Sequence, residues 1–459
     1  MPIEELQTKL TAGARAHLVG IGGVSMSPLA EVLHGNGLIV SGSDEKMSPV
    51  TDRLRSLGIS VVEGHSANSV HGADLLIRTA AVRDDNVEIA EARALGIPVY
   101  ERAEAWGYIM RGYANAVCVA GAHGKTTTTS MVTQILLAAD ADPTVMIGGT
   151  LSSLGSGYRV GQGDTIVLES CEYYDSFLQF RPTVSVILNI DADHLDYFGT
   201  LDNVKTSFAK FAELTPASGK IICNADDENT IDTMRGLNRD LFTFGFSPTA
   251  HVRAEDITFH DHGSTFDVVC DDRVYSRVTL RVPGKHNIAN ALAAAAVAVA
   301  LDLPGEAVAA GLAVFTGAGR RFEFKGTLNG ADIYDDYAHH PTELKMLLDT
   351  TLNLDYKRVL LAFQPHTYSR TAAHFQTFVE QLQRPHKTFL AEIYAAREIN
   401  TYGITSSDLV GAIPEAVLCP DFAALEAALA AEAQPGDLIL TVGAGELDKV
   451  AESLAKRDD

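Results

Sequence analysis

The chain has 459 residues, 46% apolar and 21% charged, enough for roughly two to four domains with cores of their own, and disorder is excluded as its default state. Its 36 Lys and Arg against 59 Asp and Glu leave a formal charge of -23, which argues against general binding to nucleic acid or anionic membranes and requires focused sites for any anionic ligand. Residues 1–16 lack an apolar signal region, the apolar run 291–301 is too short to span a bilayer, and five cysteines lie scattered without a CxxC pair; a cytoplasmic chain with unpaired thiols and no membrane insertion is expected.

From residue 16 to residue 100, short apolar strands (17–19, 38–40, 60–62, 75–77 and 98–100) alternate with helical or Gly-bounded stretches, the pattern of βαβ units on a parallel sheet. A linker helix is expected over 103–111. The pattern restarts with a strand at 116–120 and a helix over 125–139, and continues through strands 165–168 and 184–188. Period-two alternation over 251–282, with turn signals at Asp261-His262-Gly263 and Asp271-Asp272, predicts antiparallel strands, followed by a helix over 287–301. A third set of strands, near Ile333, 359–362, 388–390 and 438–441, runs to the end. The expectation is an α/β chain of three domains: a Rossmann-like domain (1–105), a central P-loop ATPase-like domain with a mixed sheet (106–317), and a Rossmann-like C-terminal domain (318–459).

The loop Gly121-Ala122-His123-Gly124-Lys125-Thr126-Thr127 lies between a buried strand and a Thr-rich helix. Its glycines let backbone N–H groups face phosphates, Lys125 reaches the terminal phosphates of ATP, and the Thr126 hydroxyl can sit on Mg²⁺. It is shorter than the usual pattern, which would want Gly at Val119; the bland alternative is an ordinary Gly-turn. Two other strands end in Glu169-Ser170-Cys171-Glu172 and in Asn189-Ile190-Asp191-Ala192-Asp193-His194. Hard Mg²⁺ prefers carboxylate oxygen, so Glu172 is a better ligand than His194 on chemistry alone. A single His after a strand is more often a loop residue, but two such strand ends beside a phosphate loop point to a metal site.

An earlier loop, Gly20-Ile21-Gly22-Gly23-Val24-Ser25, follows a strand, and Asp44 ends the next one. This is a partial dinucleotide fingerprint with Ser25 in place of the third Gly; any ligand with a diphosphate and a ribose would satisfy the same physics, and a structural turn is the alternative. Late in the chain, Asp335-Asp336-Tyr337-Ala338-His339-His340-Pro341 and Phe363-Gln364-Pro365-His366-Thr367-Tyr368-Ser369-Arg370 each follow a strand and precede a helix. They suggest a binding face at a sheet's carboxyl edge, although both prolines also shape helix starts.

Taken in order, these stretches, with Pro-Gly-x-His-Asn-x-x-Asn-Ala at 283–291 and Arg-Arg-Phe-Glu at 320–323, resemble the Mur ligases of bacterial cell-wall synthesis over nearly the whole chain, and among them the L-alanine-adding branch. The resemblance implies ATP-dependent ligation of L-alanine to the lactyl carboxylate of UDP-N-acetylmuramate through an acyl phosphate, in peptidoglycan synthesis. It carries Gly20, Gly22, Gly23, Ser43, Asp44 and His65 to the uridine nucleotide. Gly121, Ala122, His123, Gly124, Lys125, Thr126 and Thr127 go to ATP, and Thr126, Glu172 and His194 to magnesium. His286, Asn287 and Asn290 go to adenine, Arg321 and Asp336 to the nucleotide from the last domain, and Tyr337, His339 and Arg370 to the amino acid. Lys125, Glu172, His194, His339 and Arg370 are the implied catalytic set.

Departures from the family pattern are Ala122 where Thr is usual, Ser25 for Gly, Thr367 where many members have Arg, and Phe208 where several carry a modified lysine that neighbouring Lys210 does not replace. Rival readings are a recycling ligase that attaches a whole peptide to the same nucleotide, a silent nucleotide-binding relative, and a dinucleotide oxidoreductase, which leaves the central loop unexplained. Monomer and homodimer are both left open.

Overall fold

The computed structural model describes residues 6, 8–79, 82–260, 262–396 and 398–457. The chain divides into two compact units, residues 1–253 with 292–311, and residues 254–291 with 312–459.

In the first unit, β1 (Arg15–Val19), β2 (Ile39–Asp44), β3 (Ser60–Glu63), β4 (Leu75–Arg78) and β5 (Val99–Glu101) form a sheet in the order β3-β2-β1-β4-β5. All its pairings are parallel. The strand order reverses beside β1, so the 20–25 loop leaves the sheet at the switch point where ligands of open α/β sheets bind.

The second sheet places β6 (Asn115–Ala120) between β9 (Thr165–Glu169) and β10 (Val184–Ile187), all parallel. Their following loops therefore leave the same edge, one strand spacing apart. β11 (Lys220–Asn224) and β12 (Leu241–Gly245) extend it in parallel beyond β10. On the other side β7 pairs parallel to β9 and β8 antiparallel to β7, which makes the sheet mixed; β7 is Thr144–Leu151 and β8 is Ser156–Arg159.

The second unit holds the antiparallel hairpin of β14 (Gly263–Cys270) and β15 (Arg273–Leu280). Its two-residue turn, Asp271 and Asp272, has φ of 48° and 60°, the left-handed pair that matches strand twist. The other expected turn includes Asp261, which lies outside the described residues. β16 (Glu323–Leu328), β17 (Ala331–Asp336), β18 (Arg358–Phe363), β19 (Lys387–Ala391), β20 (Val417–Cys419) and β21 (Asp437–Val442) form a sheet in the order β16-β17-β21-β18-β19-β20, parallel except at β16.

The helix expected as a linker is Arg102–Ile109, and Ala103, Ala105, Trp106 and Ile109 are buried in the core of the first unit. Gly107 is where this helix meets the 3-10 segment Tyr173–Gln179: a Cβ there would lie 1.9 Å from the Gln179 carbonyl oxygen. Cys118, Cys223 and Cys419 are buried, as small core fillers should be, whereas Cys171 is exposed. Among the described residues no helix is long and apolar enough to cross a membrane.

Gly107→Ala forces backbone apart in a packed core, so a destabilisation of about 1–3 kcal/mol is expected. Urea unfolding followed through Trp106, the only tryptophan, measures it; an unchanged midpoint would contradict the close approach.

Candidate active site

β6 delivers the chain into Gly121, and the helix Lys125–Ala138 begins after Gly124, whose φ of 84° is a left-handed conformation that glycine adopts without strain. The first turn of any helix leaves N–H groups without helical partners. Here they belong to residues 124–127, a ready anion site reinforced by the helix dipole. The two residues before them are braced from the β10 loop: Ala122 N donates to Asn189 O at 3.2 Å, and His123 N to Asn189 Oδ1 at 2.8 Å. Asn189 Nδ2 returns a bond to His123 O at 3.0 Å, and His123 Nε2 lies 2.9 Å from Asp191 Oδ2. Nothing in the structure explains why Ala rather than Thr stands at 122.

Lys125 Nζ donates to Gly121 O at 2.5 Å and Ala122 O at 3.1 Å, and lies 3.1 and 3.3 Å from the two oxygens of Glu172. Burial works against its charge, but Glu172, with Glu169 behind it, outweighs burial and raises its pKa, which favours the ammonium. Thr126 Oγ1 donates to Glu169 Oε1 at 3.1 Å, while Glu169 Oε2 accepts from Gly148 N at 2.6 Å. His194 Nε2 stands 4.0 Å from Glu172 Oε1, beyond hydrogen-bond reach. Glu172 thus stands between Lys125 and His194, and Glu169 holds the hydroxyl of Thr126.

This donor set of hydroxyl, carboxylate and imidazole fits a divalent cation of the Mg²⁺ or Mn²⁺ kind, with oxygen dominating. The backbone around it is strained: Tyr174, Asp175 and His194 have φ of 54°, 55° and 53°. Left-handed conformations at non-glycine residues cost about 1–3 kcal/mol each and cluster at functional sites.

In the first Gly loop, Gly20 N and Ile21 N donate to Ser43 O, Gly22 N to Asp44 Oδ2 at 2.8 Å and Gly23 N to Gly20 O. Asp44 therefore closes the loop on itself, and a Cβ at Gly22 would sit 2.9 Å from its Oδ2. Ser25, in the third-glycine position, accepts from Trp106 Nε1 through its carbonyl at 3.2 Å and from Arg102 through its hydroxyl. Ser43 is buried and donates to Glu88, whose Oε2 also lies 3.1 Å from His65 Nδ1. Burial raises the Glu88 pKa, yet His17, Ser43 and Ser66 together bring it down to about 2. Ser43 and His65 are thus set around one buried carboxylate.

In the second unit, Asp336 ends β17 and accepts from Phe322 N and Ala338 N, each at 2.8 Å. Burial pushes its carboxyl up to about 6, with Arg321 opposing. The neighbouring arginines differ in role. Arg320 donates to Asp335 Oδ2 and to the carbonyls of Gly443 and Gly445, whereas Arg321 lies 3.7 Å from Glu343. The Tyr337 ring has a guanidinium over it at 5.0 Å (Arg320) and at 5.2 Å (Arg321).

His339 Nδ1 lies 3.0 Å from Tyr337 O; a carbonyl only accepts, so Nδ1 carries the proton in that bond and Nε2 of the neutral ring is an acceptor. Arg370 Nη1 is 2.9 Å from His366 Nδ1, and the His339 and His366 rings are 5.4 Å apart. His339 and Arg370 therefore flank His366, and the Tyr337 ring lies against His339, 5.4 Å between centroids. His286 is held neutral, its pKa pushed down to about 4 by burial and then by Arg321. Asn287 Nδ2 donates to Pro283 O at 2.7 Å and Asn290 Nδ2 to Asn287 Oδ1 at 3.3 Å, so the two amides form one chain along the helix Lys285–Ala300.

Residue-type reasoning gave no role to Glu169, Asn189, Asp191, Glu88 or His366. Glu169, Asn189, Asp191 and His366 stand within motifs already singled out, so position at a strand end was the available signal; Glu88, in the first turn of the helix Val87–Ala94, offers none.

The Asp336 shift has a sign. Its folded pKa lies above the unfolded value of 3.8, so the stability it contributes is complete below pH 3.8 and lost as pH rises through about 6, some 3 kcal/mol in all. Urea unfolding of the native chain and Asp336→Asn between pH 4 and 7 should give a stability difference that falls over that window; a flat difference would contradict it.

Three family models tile the chain: the Mur ligase family catalytic domain over residues 15–114, the Mur ligase middle domain over 119–298, and the Mur ligase glutamate ligase domain over 320–445. The UDP-N-acetylmuramate--L-alanine ligase of Agathobacter rectalis is 44% identical over 96% of this chain and 97% of its own. That of Caldanaerobacter subterraneus is 43% identical over 97% and 98%. Among solved structures, the UDP-N-acetylmuramate-alanine ligase of Thermotoga maritima superposes with a TM-score of 0.79 at 30% identity, covering 97% of this chain and 99% of that one. A murein peptide ligase of Psychrobacter arcticus shares the fold, with a TM-score of 0.71 at 24% identity over 97% and 98%. With full-length relatives at this identity and all three models in order, the chain belongs to the Mur ligase family.

Proposed function

We propose that the chain joins L-alanine to the lactyl carboxylate of UDP-N-acetylmuramate at the expense of ATP, giving UDP-N-acetylmuramoyl-L-alanine, ADP and phosphate for peptidoglycan synthesis. The observation that carries this is the ion pair of Lys125 with Glu172, 3.1 Å apart at the phosphate loop, in a chain 44% identical to the L-alanine ligase of Agathobacter rectalis.

A carboxylate resists amine attack because its oxygen is a poor leaving group. A lactyl oxygen therefore attacks the γ-phosphorus, the bond to the β-phosphate oxygen breaks, and ADP leaves an acyl phosphate behind. The amine of L-alanine then adds to the acyl carbon, and the tetrahedral intermediate collapses to the amide with expulsion of phosphate. Lys125 and the loop N–H groups gather the charge of the transferred group. Mg²⁺, held by Thr126, Glu172 and His194, supplies Lewis-acid charge at the phosphates when bound. His339 is assigned to the attacking amine, to orient it or to take the proton it must lose. Arg370 and Tyr337 hold the amino acid, and Arg370 suits its carboxylate.

Neutral His286, with Asn287 and Asn290, suits adenine, since a neutral imidazole beside amides offers both donor and acceptor. Gly20, Gly22, Gly23, Ser43, Asp44 and His65 serve the uridine nucleotide. We assign residues 1–105 to the uridine nucleotide, 106–317 to ATP and 318–459 to the amino acid. Five unpaired thiols accord with a cytoplasmic setting.

Phosphate release should require ATP, Mg²⁺, UDP-N-acetylmuramate and L-alanine together, and Lys125→Ala should lower it by a factor of about 10²–10³ or more. Release without the muramyl nucleotide, or full turnover by the variant, would sink the reading. The first Gly loop should bind uridine nucleotide and not NADH, as a fluorescence titration with each ligand can decide; NADH binding alone would reassign that loop.

A further inference from the structure

A histidine that binds a metal is normally held in plane by a hydrogen bond from its second ring nitrogen to a carboxylate or carbonyl. His194 departs from that rule. Among the described residues no hydrogen bond holds either of its ring nitrogens: Asp193 Oδ2 is 3.8 Å and Glu172 Oε1 4.0 Å from Nε2, both too far. Its ring instead stacks on Tyr173, with centroids 4.3 Å apart and planes 22° from parallel. Tyr173 is itself fixed, because its hydroxyl donates to Asp196 Oδ2 at 2.7 Å.

A second bond crosses between the same two loops in the opposite sense, from the Tyr197 hydroxyl to Asp175 Oδ2 at 2.8 Å. Tyr174 lies against both tyrosines, 4.4 Å from Tyr173 and 4.9 Å from Tyr197 between centroids. The loop after β9 and the loop after β10 are thereby tied at two points, immediately beyond Glu172 and His194. The left-handed backbone at Tyr174, Asp175 and His194 persists only where surroundings over-determine it, and the crossed bonds and the ring stack are those surroundings. None of these tyrosines is in the core; Tyr174 and Tyr197 are exposed and Tyr173 is half-buried.

We propose that the Tyr173–Asp196 and Tyr197–Asp175 bonds form a clamp that sets the His194 imidazole against Glu172, making Tyr173 a positioning residue for the divalent cation, with its ring stack replacing the usual hydrogen bond. The inference rests on the metal reading of Thr126, Glu172 and His194.

The test uses the full chain with ADP and Mn²⁺ as probe, free Mn²⁺ being counted by electron paramagnetic resonance, in wild type, Tyr173→Phe and Tyr173→Ser. Tyr173→Ser loses ring and hydroxyl and should raise the Mn²⁺ concentration at half-saturation about tenfold, the scale for loss of a ligand-orienting partner. Tyr173→Phe keeps the ring and should rescue most of that loss. Uridine-nucleotide affinity, unchanged in both, certifies the fold. A metal-free readout accompanies it: the His194 ring proton signal, identified by its absence in His194→Gln, should leave its stacked position in Tyr173→Ser and keep it in Tyr173→Phe. Equal Mn²⁺ half-saturation in wild type and Tyr173→Ser overturns the inference, as does a loss in Tyr173→Phe equal to that in Tyr173→Ser. A wild-type chain that takes up no Mn²⁺ with ADP overturns the metal reading and this inference with it.

Discussion

An ammonium taken largely out of water must have a counter-charge, and the first unit is arranged around the one that Lys125 finds in Glu172. The pairing is possible because β9, β6 and β10 are adjacent and parallel, so the residues that follow them emerge side by side. The β6 exit gives the loop and Lys125, the β9 exit gives Glu169 and Glu172, and the β10 exit gives Asn189, Asp191 and His194. Asn189 then fastens the loop backbone with bonds in both directions. Each group stands where it does because a neighbouring strand ends there.

The same economy governs charge. A chain with a net charge of -23 can hold anionic substrates only by concentrating its cations, and it does so with few. Lys125 is kept charged by neighbouring carboxylates. In the second unit Arg320 is spent on Asp335 and two carbonyls, which fixes the backbone, whereas Arg321 stands over the Tyr337 ring with Glu343 3.7 Å away. Burial of Asp336 moves in the other direction, weakening a negative charge near that arginine.

Much of this was legible in the sequence where chemistry and local order coincide. The phosphate loop, the two acidic strand ends, the first Gly loop and the clusters at 335–341 and 363–370 are contiguous, and alternating strands and helices placed them at sheet edges. What could not be read is what depends on pairing between distant segments. Glu169 serves Thr126 across 43 residues and Glu88 serves Ser43 across 45, and no spacing rule predicts either. Asp44 was legible as the acid that ends the second strand, but the bond it accepts from Gly22 N was not. The helix at 102–109 read as a linker because it joins two βαβ patterns, but its apolar face is core.

The left-handed backbone at Tyr174 and Asp175 has a consequence for anyone seeking to make this protein more robust. Glycine at either position would relax the left-handed backbone. Asp175→Gly, however, deletes the acceptor of Tyr197, and Tyr174→Gly removes the ring that covers the other two. Robustness and function pull in opposite directions over these two residues, so thermal selection is a poor guide to improving this enzyme there.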